Sequence, residues 1–222
     1  LQTLAWVTDT YLAIDENATV NGSFYGGSEN GFVQRDTEVK IQGSCKIGTT
    51  DPVLIGHVYG GGKGVSGFDK AGRVRGNTKV DIGGSAAITG NVYGGGELGF
   101  VGKFVCPDGR TYEWQKIRGK EDAADATTYD TGSCTVTITG GTIGYDEDKT
   151  ADAQSAHASG HVFGAGKGGS DDLYKNFCNV NNTKITVSVG KVYGTVYGGG
   201  ADGHVLGNDS VFINTGATIG TS

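Results

Sequence analysis

Methionine is absent from the 222 residues, proline occurs only at Pro52 and Pro107, and the chain has four histidines and two tryptophans. The missing initiator methionine makes a processed or excised piece the expectation. With so little proline, neither a collagen helix nor a proline-rich linker fits. No apolar run approaches the roughly 20 residues that span a bilayer, and no signal-peptide pattern begins at Leu1, so no membrane span is expected. Basic residues are scattered singly and the net charge is −6. A nucleic-acid binder needs a basic stripe to displace counterions, so no nucleic acid is expected as partner. No window carries the apolar spacing of a helix.

What is abundant is glycine, 42 residues, well over twice the roughly 7% of average usage. It clusters behind an aromatic residue in five places: Phe24-Tyr25-Gly26-Gly27, Val58-Tyr59-Gly60-Gly61-Gly62, Val92-Tyr93-Gly94-Gly95-Gly96, Val162-Phe163-Gly164-Ala165-Gly166 and Val196-Tyr197-Gly198-Gly199-Gly200. Successive copies lie 34, 34, 70 and 34 residues apart. A fixed interval of this size is the signature of stacked repeats that bury their apolar faces against one another. Residues 18–222 then form one repeat array, and 1–17 an N-terminal segment from a preceding rung or cap. The last segment, Gly216 to Gly220, matches sequence that elsewhere runs into the next aromatic motif, so the array is expected to continue past Ser222.

A second block recurs as Thr37-Glu38-Val39-Lys40-Ile41, Thr78-Lys79-Val80-Asp81-Ile82, Cys134-Thr135-Val136-Thr137-Ile138, Thr183-Lys184-Ile185-Thr186-Val187 and Asp209-Ser210-Val211-Phe212-Ile213. Alternation of β-branched apolar and polar residues predicts a strand buried on one face. In-register stacking would set Glu38 over Lys79 and Lys40 over Asp81. The aromatic motif alternates as well, placing Val92 inward and Thr89, Asn91 and Tyr93 outward. Glycine seven residues past the motif start (Gly31, Gly99, Gly169, Gly203) leads into a third short element, a rule that Val65 breaks. Short strands with glycine corners, where φ > 0 costs glycine little, predict an all-β parallel β-helix of about 34 residues per repeat. One rung per repeat is favoured, because the Thr-x-Val-x-Ile block occurs once in each.

Two insertions interrupt the pattern, at about 103–132 with Tyr112, Trp114, Tyr129 and the acidic run Glu121 to Asp125, and at about 145–157 with Asp146-Glu147-Asp148. Loops on a rigid scaffold are where binding groups often sit, and solvated decoration explains them equally well. Cys106 and Cys134 bracket the first insertion, and Cys106 and Cys178 follow their aromatic motifs at similar distances. Either pair is a candidate disulfide, while Cys45 and Cys134 also suit small buried slots. No cysteine pair has metal-ligand spacing. Gly168 to Tyr174 resembles a single calcium-binding nonapeptide but stands alone. With the loop Asp146 to Asp148 it is the only candidate Ca²⁺ ligand set, and no cofactor is expected.

His57 and His161 share a repeat position with Ser23, Asn91 and Thr195, which reads as a tolerant exterior site rather than a catalytic one, so no catalytic residue is assigned. The glycine triplets lack the Lys-Ser/Thr pair of a phosphate loop. Tyr25, Tyr59, Tyr93, Phe163 and Tyr197 are expected to form an exposed row spaced at about 4.8 Å per rung. The plainest role for such a row is a stabilising ladder, followed by lateral self-association and then by contact with glycans.

The run from Thr78 through Gly84, continuing from Ile88 to Gly96, resembles the glycine-rich repeats of very long bacterial cell-surface proteins, and the likeness extends over nearly all of residues 18–222. The resemblance implies a right-handed parallel β-helix in an exported, surface-attached stalk or adhesin, with neighbouring repeats of the same longer chain as its main partners. It brings no catalytic residues. The alternative is a polysaccharide-acting β-helix enzyme using acidic side chains near the insertion, which needs two carboxylates about 5 to 10 Å apart across a groove.

Overall fold

The computed structural model describes residues 5–50, 52–66, 68, 71–102, 132–146, 159–169 and 178–220. The strands Thr37–Ile41 and Thr78–Ile82, and the first halves of Ser133–Ile143 and Asn182–Val192, show the period-2 pattern of the sequence, and no helix occurs among the described residues. The chain makes repeated passes through the same stations. The first holds β1 (Trp6–Val7), β2 (Thr10–Ile14), β3 (Thr19–Val20) and β4 (Phe24–Tyr25). The second holds β5 (Phe32–Val33), β6 (Thr37–Ile41), β7 (Lys46–Thr50), β8 (Val53–Ile55) and β9 (Val58–Tyr59). The third holds β10 (Arg73–Val74), β11 (Thr78–Ile82), β12 (Ala87–Ile88) and β13 (Val92–Tyr93). Then follow β14 (Ser133–Ile143) with β15 (Val162–Phe163), β16 (Asn182–Val192) with β17 (Val196–Tyr197), and β18 (Asp209–Ile219).

These strands assemble into three sheets. One is β1-β5-β10, and one is β4-β9-β13-β15-β17. The largest runs β2-β6-β11-β14-β16-β18, with β3-β7-β12 continuing beside the second half of β14. Among the described strands pairing is parallel except for the β7–β8 hairpin. Glu38 does lie against Lys79 and Lys40 against Asp81. The Lys79 ammonium is 3.0 Å from Glu38 and 2.5 Å from Asp81.

The 34-residue interval belongs to the aromatic column and the residues next to it, and not to the long strands. Thr10, Thr37, Thr78, Cys134, Thr183 and Asp209 stand in register at intervals of 27, 41, 56, 49 and 26 residues. Between Val20 and Phe24, as between Ile88 and Val92, the spacing is four, but the β7–β8 hairpin stretches Ile47 to Val58 to 11. The next pass instead lengthens the stretch from Lys63 to Val74 to 11, where Glu29 to Val33 takes four. Each of the first two aromatic intervals thus contains one seven-residue excursion, at a different corner. The short corner has its own marker: Asn30, Leu98 and Asp202 each adopt φ of 53–57° immediately after Glu29, Glu97 and Ala201. After the excursion of the third pass, Gly72 (φ 67°) takes the place of Gly31, to whose carbonyl it donates at 2.9 Å. That is why Val65 breaks the glycine rule.

The main core lies between the long sheet and the aromatic-motif sheet. Val39, Val80, Val136 and Ile185, and behind them Ile41, Ile82, Ile138 and Val187, meet Val58, Val92 and Val162. Threonine closes this core at one end. The hydroxyls of Thr10, Thr37, Thr78 and Thr183 donate to the carbonyls of Gly26, Gly60, Gly94 and Gly198 at 2.5–2.7 Å. The first glycine of each motif is there for proximity rather than for a corner, since none of these glycines has positive φ. A Cβ on Gly60 would collide with the Gly94 carbonyl, and one on Gly94 with the Gly164 carbonyl and, at 3.1 Å, with Cys134. Left-handed glycines do occur, but elsewhere, for example at Gly43 and Gly84 beyond the Thr-x-Val-x-Ile strands.

Gly94→Ala is therefore expected to cost about 3 kcal/mol, the upper range for overpacking a rigid core. Gly22→Ala, where an added Cβ meets nothing within 4 Å, should change stability by less than about 0.5 kcal/mol. Chemical denaturation of the two variants beside the wild type checks the contrast.

Candidate functional site: a stacked aromatic row with two polar flanks

The five aromatic residues do come together. Tyr25, Tyr59, Tyr93, Phe163 and Tyr197 stack ring on ring, with centroids 4.7, 4.7, 4.9 and 4.9 Å apart and planes within 10° of parallel. Parallel in-register pairing of β4, β9, β13, β15 and β17 imposes this, because the strand spacing is close to the optimum separation of stacked rings. The expected exposure is found at Tyr197, is partial at Tyr25 and Phe163, and is absent at Tyr59 and Tyr93. Tyr59 is 0% exposed, Tyr93 3% and Tyr197 44%. Each interior ring gives both faces to its neighbours, and polar columns cover the edges. Of the five rings, Tyr197 is the one exposed to solvent. Burial raises the hydroxyl pKa of Tyr25, Tyr59 and Tyr93, and the nearby Glu97 carboxylate raises it further.

One flank is the column Ser23, His57, Asn91, His161, Thr195. Its members look unrelated, yet each of the first four accepts the backbone N–H of the next. Ser23 Oγ takes His57 N–H at 3.2 Å, and His57 Nδ1 takes Asn91 N–H at 2.9 Å. Asn91 Oδ1 then takes His161 N–H at 2.9 Å, and His161 Nδ1 takes Thr195 N–H at 3.0 Å. The position is not a tolerant exterior site. It demands an acceptor two or three bonds beyond Cα, a property that serine, asparagine and neutral histidine share. Asn91 also donates its amide to the Tyr93 hydroxyl at 3.0 Å, tying this flank to the rings.

The other flank is a charged row. Glu29, Lys63, Glu97, Lys167 and Ala201 pair in parallel from pass to pass. Glu29 meets Lys63 at 3.1 Å in the open, and Glu97 meets Lys167 at 2.9 Å with only 20% of the Glu97 side chain exposed. The second Glu97 oxygen accepts the Tyr25 hydroxyl at 2.5 Å. Burial alone would raise the Glu97 pKa, but the Tyr25 hydroxyl and the Lys167 ammonium outweigh it and hold the carboxyl below its ordinary value. Beside it, the Tyr59 hydroxyl is buried without a hydrogen-bond partner of good geometry.

A further ladder escaped the sequence reading. Asp9 Oδ1 accepts Asp36 N–H at 3.1 Å, Asp36 Oδ1 accepts Asn77 N–H at 2.7 Å, and Asn77 Oδ1 accepts Ser133 N–H at 3.0 Å. Asn182 Oδ1 accepts Asn208 N–H at 3.0 Å further along. The signal was present one residue before each Thr-x-Val-x-Ile block, where Asp, Asn or Ser always stands.

Cys134 and Cys178 are buried free thiols, and Cys106, the other member of both candidate disulfides, lies outside the described residues. Cys134 occupies the threonine slot of its column, packed with Val33, Val74, Val101, Ala165 and Val180. Burial pushes its thiol up to about 12 and raises that of Cys178 as well. Cys45, also free, fills a core position as expected. Cys106, the first insertion up to Thr131, Glu147 to His157, and Ser170 to Tyr174 lie outside the described residues, with most of the candidate Ca²⁺ ligands. Among the described residues no group of three His, Cys, Asp or Glu is placed to hold a metal ion, and no helix is long and apolar enough to cross a membrane. No protein-family model, curated protein or solved structure matches this chain.

Glu97→Gln keeps an acceptor for Tyr25 but loses the ion pair, at an expected cost of about 1–2 kcal/mol at pH 7, reduced from the buried-pair range because Lys167 is partly exposed. Because the Glu97 pKa is lowered in the folded state, its stabilisation is complete above the ordinary value of 4.5 and is lost as the pH falls below it. The gap between wild type and Glu97→Gln should therefore narrow in urea melts run from pH 7 towards pH 3.

Proposed function

We propose that this chain is a structural module of an exported bacterial surface protein or filament, a rigid stalk in the form of a right-handed parallel β-helix whose passes are the rungs of the solenoid. The observation that carries this reading is the uninterrupted aromatic stack through five passes, flanked on each side by a polar column that also runs from pass to pass. Three side-chain columns in step make a body stiff along one axis, because bending would have to open all of them together. Charged groups support the same reading. Glu29, Glu38, Glu97, Asp9, Asp36 and Asp81 are each engaged in an ion pair or a backbone contact between or along strands.

Adhesion through the aromatic row is the weaker form of the proposal, since stacking occupies the faces that a sugar ring would use, except at the end rings Tyr25 and Tyr197, of which Tyr197 is the exposed one. Small-angle scattering should give an elongated particle, and a glycan array should give no signal above background. A compact scattering profile would sink the stalk reading. A saturable glycan signal abolished by Tyr197→Ala would move the assignment to an adhesin.

A further inference from the structure

Two of the four acceptors in the column beside the aromatic row are imidazoles, and an imidazole accepts only through an unprotonated nitrogen. His57 and His161 each spend Nδ1 on a backbone N–H of the following pass, Asn91 and Thr195 respectively. The proton of each neutral ring must then sit on Nε2. Adding a second proton converts Nδ1 into a donor facing another donor, and the contact turns from attractive to repulsive. Ser23 and Asn91, the other two acceptors, do not titrate.

We propose that His57 and His161 are acid sensors built into the stack, so that mildly acidic conditions loosen β9 from β13 and β15 from β17. The other two contacts of the column persist.

The surroundings of His57 favour the neutral ring. It stands edge-on between Tyr59 and Tyr93, with centroids 6.1 Å from each, and Ser23 lies behind it in β4's pass. Burial lowers its pKa first, the Lys167 ammonium lowers it further, and the Glu97 carboxylate pulls the other way. Since the folded pKa lies below the ordinary 6.5, the unfolded chain takes up a proton that the folded chain refuses. Stability is then complete well above pH 6.5 and declines as the pH falls through that value towards the folded pKa. His161 has the same placement between Phe163 and Tyr197, at 6.0 and 5.9 Å.

Amide hydrogen exchange read by NMR on the intact chain, corrected for the intrinsic pH dependence of exchange, tests this directly. The Asn91 and Thr195 amides should lose up to about tenfold in protection per pH unit between pH 7 and 5.5, the limit for one linked proton. The His57 and His161 amides, bonded to Ser23 and Asn91, should lose much less. In the double variant His57→Asn, His161→Asn, an amide oxygen replaces each Nδ1, as Asn91 already does in its own pass, and the pH response at Asn91 and Thr195 should vanish. Equal protection of those amides at pH 7 and 5.5 in the wild type, or an unchanged pH response in the double variant, would overturn the proposal.

Discussion

The first glycine of each aromatic motif sets how closely the walls of this protein approach. A side chain at Gly26, Gly60, Gly94 or Gly164 would run into the carbonyl of the next glycine along its column. With hydrogen alone in that place, parallel strands pair at their natural separation, and the threonine hydroxyls of the opposite sheet reach the same carbonyls. The valine and isoleucine core between the sheets follows from that approach, and so does the stacking of the rings, which inherit the strand spacing. Glycine here is a matter of close contact. Its usual advantage, access to positive φ, is used at other positions.

Polar residues solve the second problem of such an architecture, which is that corners leave backbone N–H groups without sheet partners. Two columns answer it with side chains, Asp9-Asp36-Asn77 on one corner and Ser23-His57-Asn91-His161 on another. Each acceptor serves the next pass, so the polar columns tie passes together rather than decorate them. The same logic explains why the columns tolerate different residue types without tolerating the loss of an acceptor. Where the acceptor is histidine, protonation enters the structural problem.

Much of the fold was legible. The alternation in Thr78 to Ile82 and its counterparts is a one-dimensional record of a buried face, and the pairing of Glu38 with Lys79 followed from aligning the blocks. The interval of 34 was harder to interpret. It reflects a short pass of about 27 residues plus seven-residue excursions that fall at different corners, and only register distinguishes the two. The burial of the aromatic row was also hidden, because alternation tells which way a side chain points but not what stands beside it. Tyr59 points away from the core and is nonetheless fully covered.

By itself the sequence determined that the protein is all-β, that its strands repeat, and that valine and isoleucine face inward while the aromatics share one column. These are local properties, carried by residue type and spacing along the chain. Only the tertiary structure decided which residues meet between passes: that Glu97 sits beneath Tyr25 from two passes earlier, that His57 holds the Asn91 amide, and that Cys134 and Cys178 stay apart as thiols. Such contacts depend on the lengths of the corners that separate the strands, and corner length has no period from which contact could be inferred.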